Sequence, residues 1–185
     1  MHFIYSSNVE ILILFFREID VRVTYCVVAI ATLYGIWTPE LEKDVVAYTL
    51  SCQTYEGGFG GEPGNEAHGG YAYCAVAILS ILGQLHQANI PNLCAWIVSR
   101  QMAVEGGYQG RTNKLVDGCY SFWQGSIPVM ISGLTKTKIP VLCDSVALQK
   151  YILLCCQQFE GGLRDKPTKY VFSYSFYCIF QQKNI

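Results

Sequence analysis

The stretch "CQTYEGGFGG", residues 52–61, is the first of three related segments. "RQMAVEGGYQG" follows at 100–110 and "CCQQFEGGLRD" at 155–165, so Glu-Gly-Gly recurs at Glu56, Glu105 and Glu160. Each unit follows an apolar run that ends in Gln. The runs are about 12–16 residues long, contain Ala and Leu and carry few charges, which favours helices over strands. The double glycine is expected to stop each helix, because glycine tolerates the left-handed conformation at a C-terminus. A loop of about ten residues and a second apolar run complete each unit.

The second runs align as well. "DVRVTYCVVAIA" (20–31), "HGGYAYCAVAIL" (68–79), "DGCYSFWQGSIP" (117–128) and, more weakly, "SYSFYCIF" (173–180) share their starts. Between them, "ILSILGQLHQANIPNLCAWIVSRQ" (78–101) predicts a helix that ends near Gly83 and restarts after Pro91. The period is near fifty residues. The expected fold class is all-α, an array of helical hairpins that buries its core by stacking or by closing into a ring. We expect one domain over residues 1–185, with repeats at about 1–52, 53–101, 102–157 and 158–185. The chain starts inside one repeat and stops at the polar "QQKNI" inside another, so it is expected to be a fragment or a shortened gene model, incomplete at both ends.

Composition narrows the function class. Hydrophobic residues make up 51% of the 185 and charged residues 15%, against about 25% charged in an average domain. Such a surface is expected to be covered by a partner. A net charge of −1 gives no electrostatic case for nucleic acid or an anionic membrane. Nine cysteines without a C-x-x-C pair, most inside apolar runs, read as reduced thiols of a cytoplasmic protein. The apolar "NVEILILFF" (8–16) is too short for a membrane span and lacks the flanks of a signal peptide.

The loops carry the chemistry. Asp117 is expected to cap a helix beginning near Gly118, with Cys119 in its first turn, where a thiolate is favoured. The two could converge on one metal ion, or be a capping aspartate beside a buried cysteine; D-x-C alone does not separate these. Arg111, Lys114 and His68 could form a cationic cluster suited to a phosphate or diphosphate, or be solvated loop charges and a cap. Tyr71, Tyr73, Tyr120, Phe122 and Trp123 repeat the same helix positions, as a core or as the wall of an apolar pocket. An aromatic wall beside a cationic rim suits a ligand with an apolar tail and an anionic head.

"EGGFGGEPGNEAHGGY" (56–71) and "GRTNKLVDGCYSFW" (110–123) resemble the motifs of protein prenyltransferase β subunits, of the farnesyltransferase kind. The resemblance runs from about Arg22 to Cys178 and implies a partial α/α barrel, or toroid, that works as a heterodimer with a prenyltransferase α subunit. It implies transfer of a farnesyl group from farnesyl diphosphate to the cysteine of a CaaX-terminated protein, with zinc at the thiol and magnesium as a companion to the diphosphate. Carried over by position, Asp117 and Cys119 are two of three zinc ligands, and with Tyr120 they make the catalytic set. His68, with Gly69 and Gly70 beside it, Arg111, Lys114 and Tyr120 are the diphosphate-binding set. Tyr71, Cys74, Trp123 and Tyr25 line the isoprenoid pocket, and Arg22 lies near the peptide's terminal carboxylate. Tyr71 and Gly118 match the farnesyl rather than the geranylgeranyl type I pattern, as does the bulky Tyr177.

The resemblance departs at one point. Tyr174, in "SYSFYC", stands where it implies the third ligand, a histidine, and the chain's histidines are His2, His68 and His86. Catalytic zinc normally keeps three protein ligands. The missing ligand makes a non-catalytic, truncated chain of the same fold one alternative; a geranylgeranyltransferase type I β subunit is the other, since few residues separate the two patterns. A terpene cyclase needs clustered aspartates, and Asp117 and Asp165 are isolated in sequence.

Overall fold

The computed structural model describes residues 20–135, 142–167 and 171–172. Its helices are α1 (Val21–Tyr34), α2 (Pro39–Ser51), α3 (Gly69–Ile81), α4 (Ile90–Val98), α5 (Tyr120–Trp123), α6 (Ile127–Thr135) and α7 (Ser145–Tyr151). A short 3-10 turn, Leu85–Gln87, joins α3 to α4, and α7 continues as a π-type turn over Ile152–Cys156. Two-residue strands β1 (Leu163–Arg164) and β2 (Val171–Phe172) pair antiparallel. All-α hairpins are thus the architecture.

The helix ends have local causes. Asp20 caps α1 by accepting from the backbone N–H of Arg22 at 2.7 Å and of Val23 at 3.2 Å. Thr38 caps α2 through Leu41 N, and Pro39 occupies the first turn, where its missing N–H costs nothing. α3 stops at Ile81 before the left-handed Gly83, and α4 starts at Ile90, with Pro91 in its first turn. This is the break the sequence predicts, with the restart two residues earlier, at Ile90 and not after Pro91.

α3 is the centre of the core. Ala72, Ala75, Val76, Ile78 and Leu79 are fully buried around its circumference, as expected for a helix apolar on all sides. It packs on α1, α2, α5 and α6. One apolar cluster joins residues from Val21 to Cys156.

One expectation about the repeat needs correction. The helices end before the Glu-Gly-Gly units: α2 at Ser51, with Cys52 still right-handed, and α4 at Val98, with Ser99 likewise. The connections therefore span 52–68 and 99–119, and the parts after the double glycine, 59–68 and 108–119, are the loops of about ten residues that the sequence predicts. The glycines make a turn inside these loops instead. Gly57 and Gly106 have φ of 101° and 78°, and a Cβ on them would lie 2.2 Å from the carbonyl oxygen of Asn92 and 2.7 Å from that of Ala147. No larger residue allows the next outer helix to come this close.

The Gln before each turn ties it to that helix. Gln53 Nε2 donates to the carbonyls of Gly57 (3.0 Å) and Asn89 (3.2 Å), and its Oε1 accepts from Asn89 N (3.0 Å). Gln101 does the same with Gly106 (2.8 Å) and Asp144 (2.9 and 2.8 Å). Asn89 and Asp144 are the N-caps of α4 and α7. One amide side chain thus satisfies a turn and the start of the next repeat.

A second repeated bond sets the inner helices. Val21 N donates to Gly61 O (3.0 Å), Gly69 N to Gly110 O (2.8 Å) and Gly118 N to Asp165 O (2.5 Å). Asp20, His68 and Asp117 therefore occupy equivalent places at three inner-helix starts. Gly61, Gly110 and Asp165 occupy equivalent places on the loops that seat them.

Candidate metal and anion site

The loop of residues 110–119 descends from Gly110 to α5 and carries four of the predicted residues. Asp117 N donates to Tyr108 O at 3.0 Å, and the Asp117 carboxylate accepts from Cys119 N at 3.0 Å. Asp117 thus caps the turn that leads into the helix and is not the N-cap of a helix beginning near Gly118. The helix itself begins at Tyr120, so Cys119 is its boundary residue and not part of a first turn. The predicted single run 117–128 is two helices, α5 and α6, broken at Gln124–Ser126.

Asp165 joins this pair. Its ligand oxygen, the Cys119 Sγ and an Asp117 oxygen all lie within 4.8 Å of one another, each half-buried. The approach depends on Gly118, where a Cβ would lie 2.7 Å from Cys156 Sγ and 3.2 Å from Asp165 O. Lys166 Nζ sits 3.5 Å from Asp117 Oδ2. The aspartates, isolated in sequence, are neighbours in space.

The electrostatics overturn one expectation. Burial, the hydrogen bond to Asp117 and the charges of Asp117 and Asp165 hold the Cys119 thiol well above its usual range, with Lys166 opposing. Without a cation the thiolate is disfavoured, whatever the helix end offers. Two carboxylates and a sulfur held this close repel one another when ionised, and a divalent cation relieves that. Thiolate and carboxylate donors suit a zinc-class ion. The donor set fits a metal, with Asp165 in addition to the two expected ligands. Tyr174, the expected third-ligand position, and Tyr177 lie outside the described residues.

Tyr120 and His68 form the next layer. His68 caps α3: its Nδ1 accepts from Gly70 N at 3.1 Å. That fixes the tautomer, because an accepting Nδ1 leaves the proton on Nε2. Nε2 lies 2.9 Å from the Tyr120 hydroxyl and therefore donates to it, leaving the phenol O–H free to donate onward. Burial lowers the His68 pKa, Arg111 and Arg22 lower it further, and Glu66 opposes. Burial pushes the Tyr120 phenol up to about 12, so it remains a donor at neutral pH. Gly69 is buried against Gln124, and Gly110 against the Tyr120 ring.

The cations are partly committed. Arg111 Nη1 pairs with Glu66 Oε2 at 2.9 Å, both about half exposed. Lys114 is exposed, with its backbone N–H on Gln109 Oε1 at 3.2 Å. Arg22 pairs with Asp20 and lies over the Tyr71 ring, 5.3 Å from its centroid. Tyr71 in turn meets the His68 ring at 5.4 Å.

The aromatic wall is continuous. Tyr25 meets Tyr73 edge-on at 6.1 Å, and Tyr73 meets Phe122 at 5.1 Å and Trp123 at 5.2 Å. Tyr25, Tyr73 and Phe122 are equivalent positions of three repeats. Cys74 lies behind them, 5% exposed, its thiol pushed up to about 12 by burial.

Asp165, Lys166, Glu66 and Gln109 are site residues beyond the sequence reading. The repeat carries a signal for Asp165: it aligns with Gly61 and Gly110, five residues after the Glu of its unit. Among the described residues the cysteines are unpaired, and no helix is long and apolar enough to cross a membrane.

Residues 8–181 match the prenyltransferase alpha-alpha toroid domain. The chain is 38% identical to the protein farnesyltransferase subunit beta of Pisum sativum, over 88% of this chain and 53% of that one. It is 41% identical to the corresponding subunit of Schizosaccharomyces pombe, over 91% and 46%. It superposes on Candida albicans protein geranylgeranyltransferase-I complexed with GGPP with a TM-score of 0.70 and 26% identity, covering 82% of this chain and 45% of that one. The chain thus spans about half the length of the curated relatives it matches. With its repeated hairpins and its match over nearly the whole length, the chain belongs to the prenyltransferase alpha-alpha toroid family.

Proposed function

We propose that this chain is part of the β subunit of a protein farnesyltransferase. In this reading it works in the cytoplasm with an α subunit and transfers a farnesyl group from farnesyl diphosphate to the cysteine of a CaaX-terminated protein. One observation carries the proposal. The Asp117–Cys119–Asp165 cluster, the His68–Tyr120 pair and the Arg111–Lys114 loop lie along the same stretch of loop and helix start as an aromatic wall. An apolar chain with an anionic head has a surface for each end there.

The geometry supports the following assignment of roles. The wall of Tyr25, Tyr73, Phe122 and Trp123 takes the isoprenoid by apolar burial, with Tyr71 and Cys74 on the same helix. Arg111 and Lys114 offer charge-assisted hydrogen bonds to the diphosphate. Tyr120 donates its free O–H to a diphosphate oxygen, held in place by His68 Nε2–H. Glu66 keeps Arg111 oriented until the anion arrives. Arg22 is the basic group proposed for the peptide's carboxylate, positioned by Asp20 and Tyr71. Asp117, Cys119 and Asp165 would hold zinc, which supplies the positive charge that keeps a substrate thiol ionised near neutral pH. Magnesium is a second cation to test, since carboxylate oxygens are hard donors.

The purified chain with an α subunit is expected to transfer farnesyl faster than geranylgeranyl to a CaaX peptide, and Cys119→Ser is expected to abolish transfer. Faster geranylgeranyl transfer would favour the type I reading. Absence of both transfers in a folded heterodimer would leave a non-catalytic chain of the same fold.

A further inference from the structure

The second Glu-Gly-Gly repeat differs from its neighbours at a buried position. Directly before the Gln of their units, Gln53 and Gln157, Cys52 and Cys156 are each 1% exposed. The equivalent residue of the repeat between them is Arg100, 8% exposed. A large cation stands where the fold otherwise places a small apolar thiol, and burying such a charge is costly unless it is used.

Its side chain meets the end of α4 and the loop that follows. Arg100 Nη1 donates to the Thr112 hydroxyl at 2.5 Å, and Nη2 to Ser99 Oγ at 3.3 Å. The guanidinium lies over the Trp96 ring, 5.7 Å from its centroid, and Nε has no hydrogen-bond partner. Among the described residues no carboxylate is within ion-pair distance, although Glu56 and Glu66 act on it from farther away. The Arg100 carbonyl accepts from Gln109 N at 3.0 Å. Thr112 lies in the loop between Arg111 and Lys114, beside Asn113, whose φ is 58°. The root bond recurs in the preceding repeat, where Gly60 N donates to Cys52 O at 2.9 Å, so what the arginine side chain adds is its hold on Thr112, between the two cations.

We infer that Arg100, through Thr112, is a positioning residue that holds Arg111 and Lys114 in register for a prenyl diphosphate head. The inference rests on the functional reading above and extends it to a residue that does not itself touch the ligand. A fixed guanidinium fork suits this task, because its donors are pre-organised while a lysine's are not. A loop ordered before binding loses less freedom when the anion arrives.

The test is the affinity of the chain, with its α subunit, for farnesyl diphosphate and for farnesol. Thr112→Val removes the accepting hydroxyl at a half-exposed position without loading the core. It is expected to weaken farnesyl diphosphate about tenfold and leave farnesol unchanged, with a lowered melting temperature because a buried guanidinium donor loses its acceptor. Thr112→Ser is expected to restore affinity, and Arg100→Lys, where it folds, to behave like Thr112→Val. Unchanged diphosphate affinity in Thr112→Val, or equal losses for both ligands, overturns the inference while the functional reading stands. An unsubstituted complex that binds no farnesyl diphosphate overturns both.

Discussion

Two sets of positions recur along the repeats, and they behave oppositely. Gln53 and Gln101 make the same three hydrogen bonds to their turn and to the next outer helix. Asp20, His68 and Asp117 share one place in the repeat, yet one pairs with an arginine, one with a tyrosine hydroxyl, and one joins a cysteine and a second aspartate. Gly61, Gly110 and Asp165 share another place, and there the third unit departs from the glycine of the first two. The fold is carried where the repeats agree, and the site is built where they differ. A toroid makes this economical: each inner-helix start is presented by the same frame, so its side chain can change without altering the frame.

The sharpest way to break that comparison is at a shared glycine. Gly57→Ala or Gly106→Ala puts a Cβ into the backbone of the next helix at positive φ. We expect a loss on the order of 3 kcal/mol or more in denaturant unfolding, as for other strained, overpacked sites. Gly64→Ala, also at positive φ but with open space around its Cβ, should cost only about 1 kcal/mol. Equal losses at Gly57 and Gly64 would mean that contact with the next repeat is not what the glycine serves.

A smaller effect should be shared by the two locks. Gln53→Ala and Gln101→Ala each strand a turn carbonyl and a helix-cap N–H. Both are expected to lose about 1–3 kcal/mol, by amounts that agree with each other. A large difference between them would show that the repeats are not equivalent frames.

At the divergent positions the expected changes are milder for stability. Lys166 neutralises Asp117 in the metal-free protein. Lys166→Met should tighten zinc binding about 2–5-fold in a competitive chelator titration, the range of a partly exposed ion pair. Weaker zinc binding would mean that the lysine supports the metal rather than competing with it.

The smallest effect is a slope. His68 has its pKa lowered in the folded state, chiefly by burial. The unfolded chain therefore binds its proton first as pH falls. Stability is fully present above about pH 6.5 and declines as pH drops through that value toward the folded pKa. His68→Asn keeps a capping side chain and should flatten the decline in stability as pH falls below about 6.5. An unchanged slope would assign the acid sensitivity to other groups.

Much of the frame was legible in the sequence because it is local and repeated. The three Glu-Gly-Gly units, the break between Gly83 and Pro91 and the aligned starts at Asp20, His68 and Asp117 all follow from spacing. The position of the helix ends was less so, since it is Gln and not glycine that marks the change of direction. Asp165 was hidden because its place beside Asp117 depends on a contact across the chain, admitted by the missing Cβ of Gly118. The thiol state of Cys119 was misread for a related reason. A helix end argues for a thiolate, but burial beside two carboxylates argues more strongly against one. Arg100 was invisible as a charged residue at the end of an apolar run, until its alignment with Cys52 and Cys156 placed it in the core.

The most direct test of the account is the zinc content of the chain purified with an α subunit, for the unsubstituted protein, Cys119→Ser and Asp165→Asn. The account predicts about one zinc per chain, lost in Cys119→Ser and bound at least 10–100-fold more weakly in Asp165→Asn. A folded complex that holds no zinc, or that keeps it unweakened in both variants, would contradict the claim that the divergent repeat positions build a metal centre.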